Sequence, residues 1–167
     1  HTHQMLITQT HLLLVSNYAP KIFKRLKKDN PYFQLLISTN SLTATVVFYG
    51  YVLTMINMKI YIKKYGMQIH EIKPVPGDVE DFVPRYQSLV AQYNKENAPV
   101  DTEEALQYAD KQTRVGLHRK SIVIDGEIAV VGSHNFDPRS AVINTEVTLT
   151  IRDRDFAQAL ENRIRHY

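Results

Sequence analysis

The chain has 167 residues, a mass of 19.3 kDa and no cysteine, which fits one domain with a real core and excludes disulfide scaffolds, iron–sulfur clusters, thiolate zinc sites and cysteine nucleophiles. Hydrophobic residues make up 44% and charged residues 22%, proportions that exclude disorder, collagen and coiled coil as descriptions of the whole chain. The net charge is +3, but Val75 to Glu104 holds seven acids (Asp78, Glu80, Asp81, Glu96, Asp101, Glu103, Glu104) against Arg85 and Lys95, so this stretch carries −5 and the remainder +8. An anion is expected on the basic remainder.

The sequence opens on His1 with no charged segment leading into an apolar one, so it contains no signal or anchor segment and reads as a fragment or a processed product. Leu12 to Val15 is a short apolar run ended by Ser16-Asn17, read as a strand. Pro20 then opens a helix bearing Lys21, Lys24, Arg25, Lys27 and Lys28. Phe33 to Ile37 is a second strand, and Ser38-Thr39-Asn40-Ser41 supplies capping residues before a helix from about Thr45 to Tyr65 that stops at Gly66. The most apolar window, Val46 to Ile62, is interrupted by Gly50, Asn57 and Lys59. It is too short and polar to cross a membrane, which takes about 20 residues, and reads as a buried amphipathic helix. Met67 to Ile72 is a third strand, and the alternation implies βαβ units. The expected fold is α/β, with a mixed, mainly parallel sheet and helices on both faces.

Pro74, Pro76 and Gly77 end that pattern. Residues 75–112 read as an acidic surface excursion within a single domain spanning 1–167, with weak helical periodicity around Phe82 to Tyr93. Lys120 to Ile124 and Ile128 to Val131 flank Asp125-Gly126, a strong hairpin signal. A last strand, about Glu146 to Ile151, precedes a helix from about Asp155.

The chemistry concentrates in Gly116-Leu-His118-Arg-Lys120-Ser-Ile-Val-Ile-Asp125-Gly, Gly132-Ser133-His-Asn135-Phe-Asp137-Pro-Arg-Ser140 and Asn144-Thr-Glu146. Side chains alternate along a strand, so His118 and Lys120 share one face and Ser133 and Asn135 share another. An imidazole, a cation and two neutral hydrogen-bonding groups are what a phosphate ester requires. Glu146, on the last strand, is placed to accept from the other ring nitrogen of His118.

With these residues in place, the sequence resembles the phospholipase D superfamily, whose motif is His-x-Lys-x4-Asp followed by Gly-Ser-x-Asn. His118, Lys120 and Asp125 match the first element, and Gly132, Ser133 and Asn135 match the second. Leu14-Val-Ser-Asn-Tyr18, Thr39-Asn40-Ser41-Leu42 and Asp137-Pro-Arg-Ser140 resemble the C-terminal half of bacterial cardiolipin synthase-like members; Val46 departs from that branch, which commonly has an acid there. The resemblance implies metal-free and cofactor-free transfer through a phosphohistidine. One histidine attacks phosphorus, and a second protonates the leaving alcohol. Lys120, Ser133 and Asn135 would bind the phosphate oxygens, and His118, Lys120, Asp125 and Glu146 would form the catalytic set. Only one copy of the motif is present, so the resemblance implies a second histidine from an N-terminal half or a symmetric partner. It further implies a phospholipid substrate and a membrane surface, at the cytoplasmic face of a bacterial inner membrane.

Other readings compete at single residues. Asp125 is explained equally by the Asp-Gly turn. Asp137-Pro138 reads as a helix cap, and His134 as a packed or exposed side chain facing away from Ser133 and Asn135. Zinc on His118, His134 and Asp137 fits no usual ligand spacing. The basic run Lys21 to Lys28 is a solvated face or an attraction for anionic lipid. For the whole chain the alternatives are a homodimeric phosphodiesterase or endonuclease and a noncatalytic phosphate- or lipid-binding module. Nucleic acid is the less favoured partner, because its binding rests on many Lys and Arg contacts to phosphate.

Overall fold

The computed structural model describes residues 4–16, 18–45, 47–81, 83–96 and 115–166. Met5–Gln9 (MLITQ) forms β1, whose last three residues are buried, as suits a strand covered on both faces. Gln34–Asn40 forms β2, parallel to β1, with Met5 opposite Gln34 and Gln9 opposite Ser38. Met67–Ile72 forms β3, parallel to β2. On the other side of β1 lies β4, Ser121–Ile124, which is antiparallel and sets Gln9 against Ser121. Ile128–Gly132 (β5) and Thr148–Ile151 (β6) continue the antiparallel half. The six-stranded order is β3-β2-β1-β4-β5-β6. The sheet is therefore mixed as expected, but its antiparallel half is larger than a mainly parallel reading anticipates.

The hairpin between β4 and β5 forms as its Asp-Gly signal predicts. Asp125 and Gly126 have φ of 54° and 65°, the left-handed pair of a tight hairpin turn that Gly occupies without a steric penalty. Two helices lie against one face, α1 at Ala19–Asp29 and α2 at Phe48–Tyr65. They contribute Phe23 and Tyr61 to a core with Leu13, Phe33, Leu35, Ile37 and Met67. Two further helices of this unit are α3 at Pro138–Val142 and α4 at Arg154–Arg165. The latter covers the opposite face, burying Ala157 and Ile164 against Ile7, Val123 and Ala129. Asp153 caps α4 by accepting from Phe156 N at 2.8 Å, which satisfies one orphan donor of the first turn.

Two sequence readings require correction. Leu12 to Val15 is not a strand: after Gln9 the chain leaves the sheet, and Leu13 makes one isolated bridge, to Phe136. Its apolar character serves burial instead, since Leu13 is 1% exposed in the core. The helix α2 is not buried by its apolar side either. It turns Gly50, Tyr51, Thr54 and Tyr61 inward and leaves Val52, Leu53, Met55 and Ile56 exposed. The inward choice is explained by hydrogen bonding, because Thr54 Oγ1 donates to Leu13 O at 2.5 Å and Tyr51 Oη donates to Glu71 at 3.0 Å.

Compact units divide at Ile72 and Gly116. His1–Ile72 with Gly116–Tyr167 holds the sheet. Lys73–Val115 holds a 3-10 turn at Val79–Asp81 and a helix at Tyr86–Glu96. The expected acidic excursion falls largely within this second unit, with 97–112 outside the described residues, as are Asn17, Val46 and Phe82.

Candidate functional site

Strand direction assembles the site. The parallel strands β1, β2 and β3 end at Gln9, Asn40 and Ile72. Because β4 is antiparallel to β1, it begins at that same end, as do the exit from β5 and the approach to β6. Six chain segments therefore converge where parallel strands present their carboxyl ends, the usual place for a ligand in such sheets. His118, Lys120, Ser133, Asn135 and Glu146 all lie in segments that reach this end.

His118 is exposed and immediately precedes β4. Its ring lies 5.1 Å from that of His11, tilted by 60°. Lys120 Nζ donates to His118 O at 2.7 Å. The imidazole's pKa is lowered from the ordinary histidine value, first by the Lys120 cation, then by burial and by His11. Neutral imidazole, the nucleophilic form, is favoured as a result. Burial likewise lowers the Lys120 pKa, opposed by Glu146 and Asp137.

On the facing segment, Gly132 lies against β6 so closely that a Cβ there would stand 2.3 Å from Val147 O. Only glycine admits that approach. The next residue then locks in: Ser133 N donates to Val147 O at 3.0 Å, and Val147 N donates to Ser133 Oγ at 3.0 Å. With its oxygen accepting from Val147, the Ser133 hydroxyl directs its proton to the Glu146 carboxylate in a very close contact. Asn144 Nδ2 donates to the other carboxylate oxygen at 3.1 Å. Donation from Ser133 above all, then from Ser140 and Asn144, holds the Glu146 pKa below the usual carboxylate range. The hydrogen bond expected from His118 to Glu146 is not among these; Glu146 is engaged by Ser133 and Asn144 instead.

Asn135 is half-buried, and its Oδ1 has no hydrogen-bond partner among the described residues. A cavity of about 180 Å³ opens beside it, lined by Gln9, Lys120, Ser121 and His134 among others. Gln9 Nε2 and Ser121 Oγ are likewise buried and unpartnered. His134 faces this cavity, while Ser133 and Asn135 do not line it. Asp137 caps α3, accepting from Arg139 N at 2.8 Å and Ser140 N at 2.9 Å.

Asp125 is set apart from the others. It follows β4 at the strand's far end from His118 and Lys120, and its Oδ1 accepts from Gln4 N and Met5 N, each at 2.8 Å. Its place in the motif fits the turn reading, with a clamp on the start of β1.

Two residues of the site escape sequence reasoning. Asn40, 2% exposed, accepts from Leu117 N at 2.7 Å and donates to Leu117 O at 2.9 Å and His11 O at 3.0 Å. It holds both backbone polar groups of Leu117, the residue preceding His118. His11 Nδ1 lies 2.7 Å from Leu117 O. Asn40 Nδ2 lies 3.0 Å from the same ring nitrogen. Asn40 was legible as a capping residue and as part of a turn resembling the family, not as a site residue, and His11 carried no local signal.

Comparison with known proteins adds three findings. A family model described as "Cardiolipin synthase, PLD-like domain" matches residues 83–167. Cardiolipin synthase C of Escherichia coli K12 is 28% identical over 133 residues, which is 78% of this chain and 23% of that protein. Cardiolipin synthase A of Pseudomonas putida W619 is 44% identical over 48 residues, 29% of this chain and 10% of that protein. The chain thus corresponds to a minor part of the length of these relatives. Among solved structures, Nuc from Salmonella typhimurium, a phospholipase D family member, superposes with a TM-score of 0.55 at 14% identity, covering 98% of this chain and 76% of that one. NucT from Helicobacter pylori gives 0.58 at 12% identity over 97% and 77%.

Proposed function

Since this chain belongs to the family of cardiolipin synthase, PLD-like domains, we propose that it forms one half of a phosphodiester-cleaving site acting on phospholipids at a membrane surface. The supporting observation is the exposed His118 imidazole, kept toward its neutral form by Lys120 and seated beside His11. In the proposed reaction His118 attacks phosphorus, an N–P bond forms and the P–O bond to one alcohol breaks. That alcohol takes its proton from a second imidazolium, supplied by another half or another copy. Water or an acceptor alcohol then attacks the phosphohistidine, giving its proton to the second imidazole, so that the N–P bond breaks, His118 is released and either a phosphatidic acid or a new phosphodiester forms. Lys120 and Asn135 stabilise charge on the non-bridging oxygens. Ser133 and Glu146 form a hydrogen-bonded pair at the rim.

Whether the second histidine comes from a missing half or a second copy is read by measuring the mass of the chain in solution together with diester hydrolysis on the same sample. His118→Ala is the control. A dimer whose activity the variant loses points to a homodimeric phosphodiesterase or endonuclease with paired His118. An inactive monomer that turns over phospholipid only when joined to an upstream half supports the two-half lipid enzyme. Near-normal turnover by a folded His118→Ala variant sinks both.

A further inference from the structure

The helix α2 is built the wrong way round for an ordinary surface helix. Tyr49, Val52, Leu53, Met55, Ile56 and Ile60 stand 84%, 38%, 47%, 51%, 69% and 45% exposed, while Thr54 and the hydroxyl-bearing Tyr51 and Tyr61 are buried. A helix apolar on most sides is normally enclosed by protein or lipid. At helical spacing, Tyr49, Val52, Ile56, Lys59 and Lys63 fall on one side, and Lys59 and Lys63 are both exposed. No acid occurs anywhere in α2. Beside it packs α1, whose Lys21, Lys24, Arg25 and Lys28 are exposed. No described helix is long and apolar enough to cross a membrane, so a lipid-contacting α2 would lie along the surface.

We propose that the outer face of α2 is a docking surface for the interface of an anionic phospholipid bilayer. Its aliphatic and aromatic side chains enter the headgroup and acyl boundary, while Lys59 and Lys63 extend along it to reach lipid phosphates. The charge decides the occupant. A protein partner's apolar patch gives no reason for an acid-free face flanked by lysines and by a basic neighbouring helix, whereas an anionic lipid surface complements both parts. This inference deepens the lipid-directed reading above and rests on it, but vesicle binding is read without turnover. A chain that docks through α2, while neither its dimer nor its form joined to an upstream half cleaves phospholipid, would overturn that reading and keep this one.

The test is sedimentation of the 167-residue chain with vesicles of equimolar phosphatidylglycerol and phosphatidylcholine, against phosphatidylcholine alone. Ile56→Asp removes the most exposed aliphatic of the face and touches no core residue. The double variant Lys59→Gln, Lys63→Gln removes its charge. The expected result is binding to the anionic vesicles that falls by about tenfold in each variant, with circular dichroism and Tm unchanged. Failure of the chain to sediment with anionic vesicles overturns the proposal, as does equal binding by a folded Ile56→Asp variant. So does a solution dimer that Ile56→Asp splits while vesicle binding persists, because the face then belongs to a second copy.

Discussion

In the proposed site, individual residues divide into groups that would meet substrate and groups that hold them in place. Lys120 acts on His118 through charge: an ammonium close to an imidazole penalises the second positive charge, so the His118 pKa falls below the usual histidine value near 6.5. The nucleophilic form therefore persists to lower pH, and the acidic limb of the rate profile lies below that value. Replacing Lys120 by Met removes the largest cause of the shift. The His118 pKa is expected to rise, which an NMR titration of the imidazole reads independently of activity; an unmoved or lowered value would refute the assignment. Asn40 acts through the backbone. Asn40→Ala leaves Leu117 N without its acceptor in a buried place and removes one of the contacts to Leu117 O, at a cost of roughly 1–3 kcal/mol. Turnover at saturating substrate is expected to fall more than KM rises, because the loss is in the orientation of His118. Asn40→Asp keeps the acceptor for Leu117 N and is expected to recover only part of both effects.

Elements explain how much was readable beforehand. The hairpin joining β4 and β5 was legible because Asp125-Gly126 satisfies a local geometric demand, and α2 ends at Gly66, in the left-handed conformation with φ of 65°, for the same kind of reason. The turn also yields a discriminating prediction. Asp125→Ala loses two hydrogen bonds to the start of β1 and places a side chain that lacks Asp's local hydrogen bonding at positive φ. It is expected to lower stability by about 1–3 kcal/mol, while the folded fraction keeps its kcat. A folded Asp125→Ala variant with normal Tm and no turnover would favour the catalytic reading of Asp125 over the turn alone. What was not readable has a common physical cause. Asn40 meets Leu117 across 77 residues and His11 meets it across 106, and no local pattern announces a pairing at such separation. Leu12 to Val15 and Met5 to Ile7 are both apolar runs, and only the pairing partners on either side of β1 decide which becomes the strand. Composition shows that α2 is apolar; it does not show which side the rest of the chain covers.

At the scale of the molecule, the sheet joins a parallel half to an antiparallel half at β1 and β4, and α4 packs over β1, β4 and β5 at that seam. His11 and Asn40 come from one half, His118 and Ser133 from the other, so the site depends on the seam staying closed. Ile164→Ala opens a hole beneath it, where the side chain is 1% exposed, and is expected to destabilise the chain by about 2–5 kcal/mol. Activity measured against temperature should fail with unfolding, and at temperatures where the variant is folded kcat should be near normal; a large kcat loss there would mean the seam transmits more than cohesion. The clamp on Leu117 has a consequence for how the chain breathes. Leu117 lies outside every strand, yet its amide hydrogen is donated to a buried side chain anchored at the end of β2. Its exchange with heavy water should therefore be slow, matching the amides of β2 rather than those of an open loop. The backbone that leads into His118 then opens to solvent only when the central sheet does.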